Sequence, residues 1–130
     1  MALRFIDPDT TTTVEVEGVT FTIGFWPPRE AEKIGAAIAA VRRHADPESE
    51  AARAAALDAH SRMIQYGVRG WSGWEGVESK MDAEAIHGRE HPKVPEKVLR
   101  ALYLNNALWP VGLACLRWNN LSDEEKKTSG

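Results

Sequence analysis

His87 and His91 stand four positions apart, the spacing at which two imidazoles share one face of a helical turn and can hold one metal ion. Gly88 lies between them and Pro92 follows, which weakens the helix that would align them. No glutamate occupies the position a zincin needs, no cysteine pair is present and no third ligand is identified. The pair therefore reads as two solvated loop histidines, and no metal or other cofactor is expected. His60 directly precedes Ser61, so on a helix their side chains diverge instead of pairing as base and nucleophile. Cys115 is the only cysteine, which rules out an intrachain disulfide. Its apolar surroundings suggest a buried, inert thiol. No glycine-rich loop has the spacing that cradles phosphate. Asp7 and Asp9 flank Pro8 as turn residues do, and Glu48, Glu50, Glu124 and Glu125 sit near helix starts, where the helix dipole favours them. No residue stands out as catalytic, and a non-enzymatic protein is expected.

Tryptophan is the distinctive residue, at positions 26, 71, 74, 109 and 118. Large aromatic side chains fill cores, and Trp109 in particular suits that role. They also dominate the energetics of protein interfaces. Trp71 and Trp74 lie on the glycine-rich run Gly70-Trp71-Ser72-Gly73-Trp74-Glu75-Gly76 and are the first candidates for a partner surface. Trp109 and Trp118 are the next.

The remaining composition narrows the partner. The chain has 130 residues, 43% of them hydrophobic, enough for one domain with a core that needs no staple. Net charge is −3 and the pI is 5.8, without the clustered basic face that nucleic-acid binding requires. The longest apolar run, Ala107 to Leu116, holds Pro110 and Gly112 and falls well short of the roughly 20 residues that span a bilayer. Met1 leads into Ala2-Leu3-Arg4 with no apolar signal core, so a cytoplasmic location is expected, with no nucleic-acid or membrane partner.

The elements that would position these residues follow from periodicity. Val14 and Val16 alternate with Thr13, Glu15 and Glu17. After Gly18, Val19, Phe21 and Ile23 alternate with Thr20 and Thr22, which predicts a β-hairpin within residues 1–26. Trp26-Pro27-Pro28 then opens a helix from about Arg29 to His44, with Ile34, Ala37, Ile38 and Val41 on one face. Asp46-Pro47 opens a second, with Ala52, Ala56, Ala59, Met63 and Tyr66 as its stripe and Gly67 as its stop. The alanine-rich faces predict that these two helices pack closely as an antiparallel pair. The glycine-rich connector reads as loop, with a short helix near Val77 to Ile86 and an irregular stretch from His87 to Val94. Pro95 begins a third long helix that Pro110 kinks or breaks, with Asn105 and Asn106 satisfying the freed backbone groups. Its apolar pattern resumes through Val111, Leu113, Cys115, Leu116 and Trp118. Ser122 and Glu125 have capping-box spacing, yet few residues follow, so residues 121–130 read as a frayed tail. The expected fold is α+β but mainly α, a single domain of hairpin plus three main helices in a body spanning 27–120.

In this order the parts resemble the tail assembly chaperones of long-tailed bacteriophages, prophages and gene-transfer particles. The resemblance rests on the opening hairpin Val14 to Ile23 and on the run Tyr66-Gly67-Val68-Arg69-Gly70-Trp71, followed by Trp74-Glu75-Gly76-Val77. It ends on Leu121-Ser122-Asp123-Glu124-Glu125-Lys126-Lys127. The chain departs from that pattern in the Trp71-Ser72-Gly73-Trp74 repeat and in the stretch His87 to His91.

The resemblance implies a protein that coats the long helical tape-measure protein and keeps it soluble until tail tube subunits polymerise around it. The tail tube protein and a frameshifted longer form of the chain itself are further implied partners. Glu125-Lys126-Lys127 is compatible with a slippery codon run that would produce that form. Homo-oligomers are also compatible with the sequence. An apolar groove between the third helix and the Trp71–Trp74 connector is the expected binding place. Two other assignments compete. A head–tail connector or tail-terminator subunit would form rings, and a small metal-dependent enzyme would retain zinc at His87 and His91.

Overall fold

Glu17 and Gly18 both take positive φ, 51° and 79°, the backbone that a two-residue type I′ hairpin turn demands. They join β1 (Thr12–Val16) to β2 (Val19–Ile23) with Val16 opposite Val19, at the turn the alternation predicts. The computed structural model describes residues 9–86 and 88–120. Asp7, His87 and the capping box at Ser122 and Glu125 lie outside the described residues. The fold is a mixed α/β arrangement of four helices and two small sheets, with about half of the described residues helical.

From β2 the chain passes Trp26 into α1 (Pro28–Arg42), with Pro28 in the first turn and Glu30 and Ile34 buried. The second helix, α2 (Glu50–Gly67), starts later than its proline suggested. Ser49 is the N-cap, its Oγ accepting from Ala52 N at 3.1 Å. Asp46 instead accepts from Glu48 N at 2.9 Å, closing the turn before the helix. α1 and α2 pack on each other, and α2 packs along the last helix.

The glycine-rich run is not a loop throughout. Val68–Ser72 forms β3, antiparallel to β2, with Phe21 opposite Trp71 and Thr20 opposite Ser72. The first sheet therefore has three strands in the order β1-β2-β3. Gly67 ends α2 and Val68 is already extended, so helix passes to strand without a linker. Gly24 N donates to Gly67 O at 2.8 Å, tying the exit of β2 to that junction.

Val77 to Ile86 forms no helix, and the stretch after it is not irregular. Asp82–Ile86 is β4 and Arg89–Lys93 is β5, a second antiparallel hairpin with Glu84 opposite His91. Alanine and glutamate in β4 favour helix on local propensity, and cross-strand pairing overrides it.

The third long helix is two helices. α3 (Glu96–Leu104) ends at Asn105, and α4 (Leu108–Asn120) begins after it. Asn106 takes φ 58°, Ala107 N donates to Leu102 O at 2.9 Å and Asn106 N to Tyr103 O at 3.2 Å. That is a Schellman stop with asparagine in the left-handed position. Pro110 does not break the helix. It sits in the first turn of α4, where its missing N–H has no intrahelical partner to lose. One hydrophobic core gathers Phe21 and Ile23 of β2, Ile34 of α1, Met63 and Ile64 of α2, Leu102 of α3, and Val111 and Cys115 of α4.

Candidate functional site

The four tryptophans expected at a partner surface divide between the interior and the surface. Trp71, on β3, is buried at 5% exposure and meets Trp74 edge to face at 6.4 Å. Trp118, on α4, is buried and stacks on Phe25 at 5.3 Å. Neither indole N–H reaches a hydrogen-bond partner among the described residues. Trp74 is half-buried and lies edge-on to Phe21 at 6.1 Å. Trp109 is exposed at 37% and stands edge-on to His60 of α2 at 4.7 Å. Among the described residues no ring contact joins the Trp71–Trp74 pair to Trp109 or Trp118. Trp26 serves the fold, its Nε1 donating to Met63 O at 3.0 Å.

Two clefts border α3. The smaller, about 320 Å³, opens where Trp74 and Phe21 face Leu102 and Asn105 at the end of α3. It lies between α3 and the connector, and Trp74 lines it while Trp71 sits behind. The larger, about 910 Å³, runs between α2 and α3, with Leu57, Leu99, Tyr103 and Leu108 on its apolar surface. Arg62, Lys97 and Arg100 stand on its walls with Asp58 and Glu96.

Large apolar side chains are exposed on α3 and α4. Tyr103 and Leu104 close α3 at 48% and 67% exposure, and Leu113 on α4 is exposed at 54%. Leu113 follows Trp109 by one helical turn on the same face. Of these exposed side chains only Tyr103 lines the α2–α3 groove, while Trp109 packs on His60. Sequence reasoning did not single out Tyr103, Leu104 or Leu113 as surface residues. The signal was present: Ala101 to Leu104 is an unbroken apolar run, and a helix of that width cannot turn every such side chain inward.

A polar cluster fastens β4–β5 to the body and includes His91, which is a half-buried strand residue and not a solvated loop histidine. The Tyr66 hydroxyl lies near the Glu84 carboxylate, whose Oε1 meets Lys93 Nζ at 3.6 Å. Burial first, then the adjoining Glu84 carboxylate and the charge of Glu30 push the Tyr66 hydroxyl up to about 12. His91 lies beside the Tyr66 ring at 6.2 Å. Burial, and then the positive charge of Arg69, lower its pKa. Because residues 89–93 form a strand, His91 is not on a helical turn with position 87. Among the described residues no group of three or more His, Cys, Asp or Glu could hold a metal ion. Arg69 donates to the carbonyls of Tyr66 and Phe25 and so braces the start of β3 against the exit of β2. Cys115 is fully buried, and burial pushes its thiol up to about 12. At neutral pH it is protonated and out of reach of any substrate.

No helix among the described residues is long and apolar enough to cross a membrane. Comparison of the chain with protein-family profiles, curated proteins and solved structures gave no match.

Proposed function

We propose that the protein is a non-enzymatic tail assembly chaperone that binds apolar helical stretches of a tape-measure protein in the host-cell cytoplasm and keeps them soluble. The observation that carries this is the α2–α3 groove with Tyr103 exposed on its wall, on a chain that also exposes Leu104, Trp109 and Leu113 on α3 and α4. A groove of about 910 Å³ between two helices is open enough to seat one face of a third helix. Four large apolar side chains left at the surface make an aggregation hazard unless a partner covers them. A tape-measure protein offers the complement, since its long amphipathic helices expose apolar stripes before the tail tube encloses them. The resemblance of the hairpin and of the run Tyr66 to Val77 to tail assembly chaperones points to the same partner.

Co-expression with the long helical protein encoded immediately downstream tests the proposal, read by pull-down from the soluble fraction. That protein is expected to be insoluble alone and recovered with this one. If it is soluble alone and does not associate, the chaperone function is wrong, and ring formation by the purified protein becomes the next assay.

A further inference from the structure

The α2–α3 groove is apolar along its floor but uneven in charge along its walls. Asp58 on the α2 side is already engaged, its Oδ2 accepting from Arg62 Nε at 3.1 Å. Glu96 opens α3, where the unpaired N–H groups of the first turn favour a negative side chain. Asp58 is thus paired, while on the α3 wall the single negative charge of Glu96 stands against the two positive charges of Lys97 and Arg100. They lie three residues apart on the same side of α3, both exposed, and neither is in an ion pair among the described residues. The α3 wall is therefore cationic, on a chain whose net charge is −3. Surface charges more than about 8 Å away are screened at physiological salt, so a docked helix senses this wall more than the distant acidic surface.

We infer that the groove selects helices whose apolar stripe is flanked, on the side facing α3, by acidic side chains. This rests on the groove being the chaperone's binding site and adds the charge that a client segment must carry. A helix seated on Leu57 and Tyr103 places its flanking positions over the two walls. Glutamate or aspartate there meets Lys97 and Arg100, whereas lysine there meets like charge. Such rim pairs set partner choice and association rate more than total affinity. The same arrangement selects against basic helices, so the chain would ignore apolar helices that are not its clients.

Two synthetic helical peptides with one shared leucine stripe, flanked in one by glutamate and in the other by lysine, make the test. Each is titrated into the full-length protein by fluorescence anisotropy at low and at physiological salt. The acidic peptide is expected to bind about tenfold more tightly, with the gap narrowing as salt rises. The double variant Lys97→Glu/Arg100→Glu changes two exposed side chains and should invert the preference while leaving the thermal unfolding midpoint near that of the parent. Tyr103→Ala should weaken both peptides alike. Equal binding of the two peptides would overturn the charge selection and leave the groove as an apolar site. Preference for the basic peptide, or an unchanged preference in the double variant, would overturn it as well. If neither peptide binds, the charge selection is wrong, and co-expression with the downstream protein then decides separately whether the chaperone function survives.

Discussion

A Cβ built on Gly112 of α4 would lie 2.7 Å from Cδ2 of His60 on α2, closer than real side chains approach. His60 cannot easily swing away, because its Nδ1 donates to Ala56 O at 3.0 Å and Trp109 stands against its other side. The glycine is what lets α4 lie along α2, with Trp109 packed on His60. Gly112→Ala should therefore destabilise the protein although alanine favours helix, by about 1–3 kcal/mol of overpacking. Urea unfolding checks this. A double-mutant cycle with His60→Ala should recover much of the loss, because the clash needs both side chains.

Asn119 near the end of α4 makes three hydrogen bonds. Its Oδ1 accepts from Trp26 N at 3.0 Å, and its Nδ2 donates to Gly24 O at 3.3 Å and Cys115 O at 2.9 Å. It is the clasp between the last helix and the turn leading into α1. Asn119→Ala leaves a half-buried N–H and a carbonyl unpaired and should cost about 1–3 kcal/mol. The matching exchange signature is faster amide hydrogen exchange at Trp26.

What the sequence made legible was whatever is local. The hairpin turn at Glu17-Gly18, the stripes of α1 and α2 and the proline start before α3 are each set by neighbours within a few residues. β3 was hidden because three glycines outweigh Val68 and Trp71 until β2, distant in the chain, supplies hydrogen-bond partners. β4 was hidden because its alanines and glutamate read as helix until β5 pairs with them. Pro110 misled because a proline reads as a break in a helix interior and as harmless in a first turn, and only the left-handed Asn106 settles which applies. The same gap affected the site. Tryptophans were legible as important side chains, but which of them face water depends on packing between α2, α3 and α4.

The cluster under β4–β5 makes stability depend on pH at both ends. The folded pKa of His91 lies below its ordinary 6.5, so the unfolded chain takes up the proton first. The stability due to the neutral imidazole is present above pH 6.5 and is lost as pH falls from there through the lower folded value. Tyr66 behaves in the opposite sense. Its folded value of about 12 lies above the ordinary 10.0, so stability is full below pH 10 and declines as pH rises toward 12. Chemical denaturation across a pH series should show both limbs. His91→Gln should flatten the acid one and Tyr66→Phe the alkaline one.

Cys115 gives a direct probe of opening. With its thiol fully buried and held protonated, a thiol reagent at pH 8 should label the native protein only as fast as α4 leaves the core. The labelling rate should rise in Asn119→Ala and in Gly112→Ala by the factor their stability loss predicts. Rapid stoichiometric labelling of the unmodified chain would show instead that the thiol is reached while α4 stays in the core.

Trp109 and Trp118 occupy one helix and should respond oppositely to the same substitution. Trp118 is buried at 2% exposure and stacked on Phe25, so Trp118→Ala opens a cavity and should cost about 3–5 kcal/mol. Any loss of partner binding in that variant would follow from unfolding. Trp109 is exposed at 37% and touches the body through His60, so its removal leaves little cavity. Trp109→Ala should shift stability by about 1 kcal/mol or less, in the range of surface changes. If the exposed apolar side chains of α3 and α4 hold the client helix, the same variant should recover much less of the downstream protein in the soluble fraction, since a buried aromatic anchor at an interface is commonly worth 2 kcal/mol or more, about thirtyfold in affinity. A variant that folds as the parent does and still solubilises the partner fully would remove Trp109 from the binding surface and leave the groove floor at Leu57 and Leu99 to carry it.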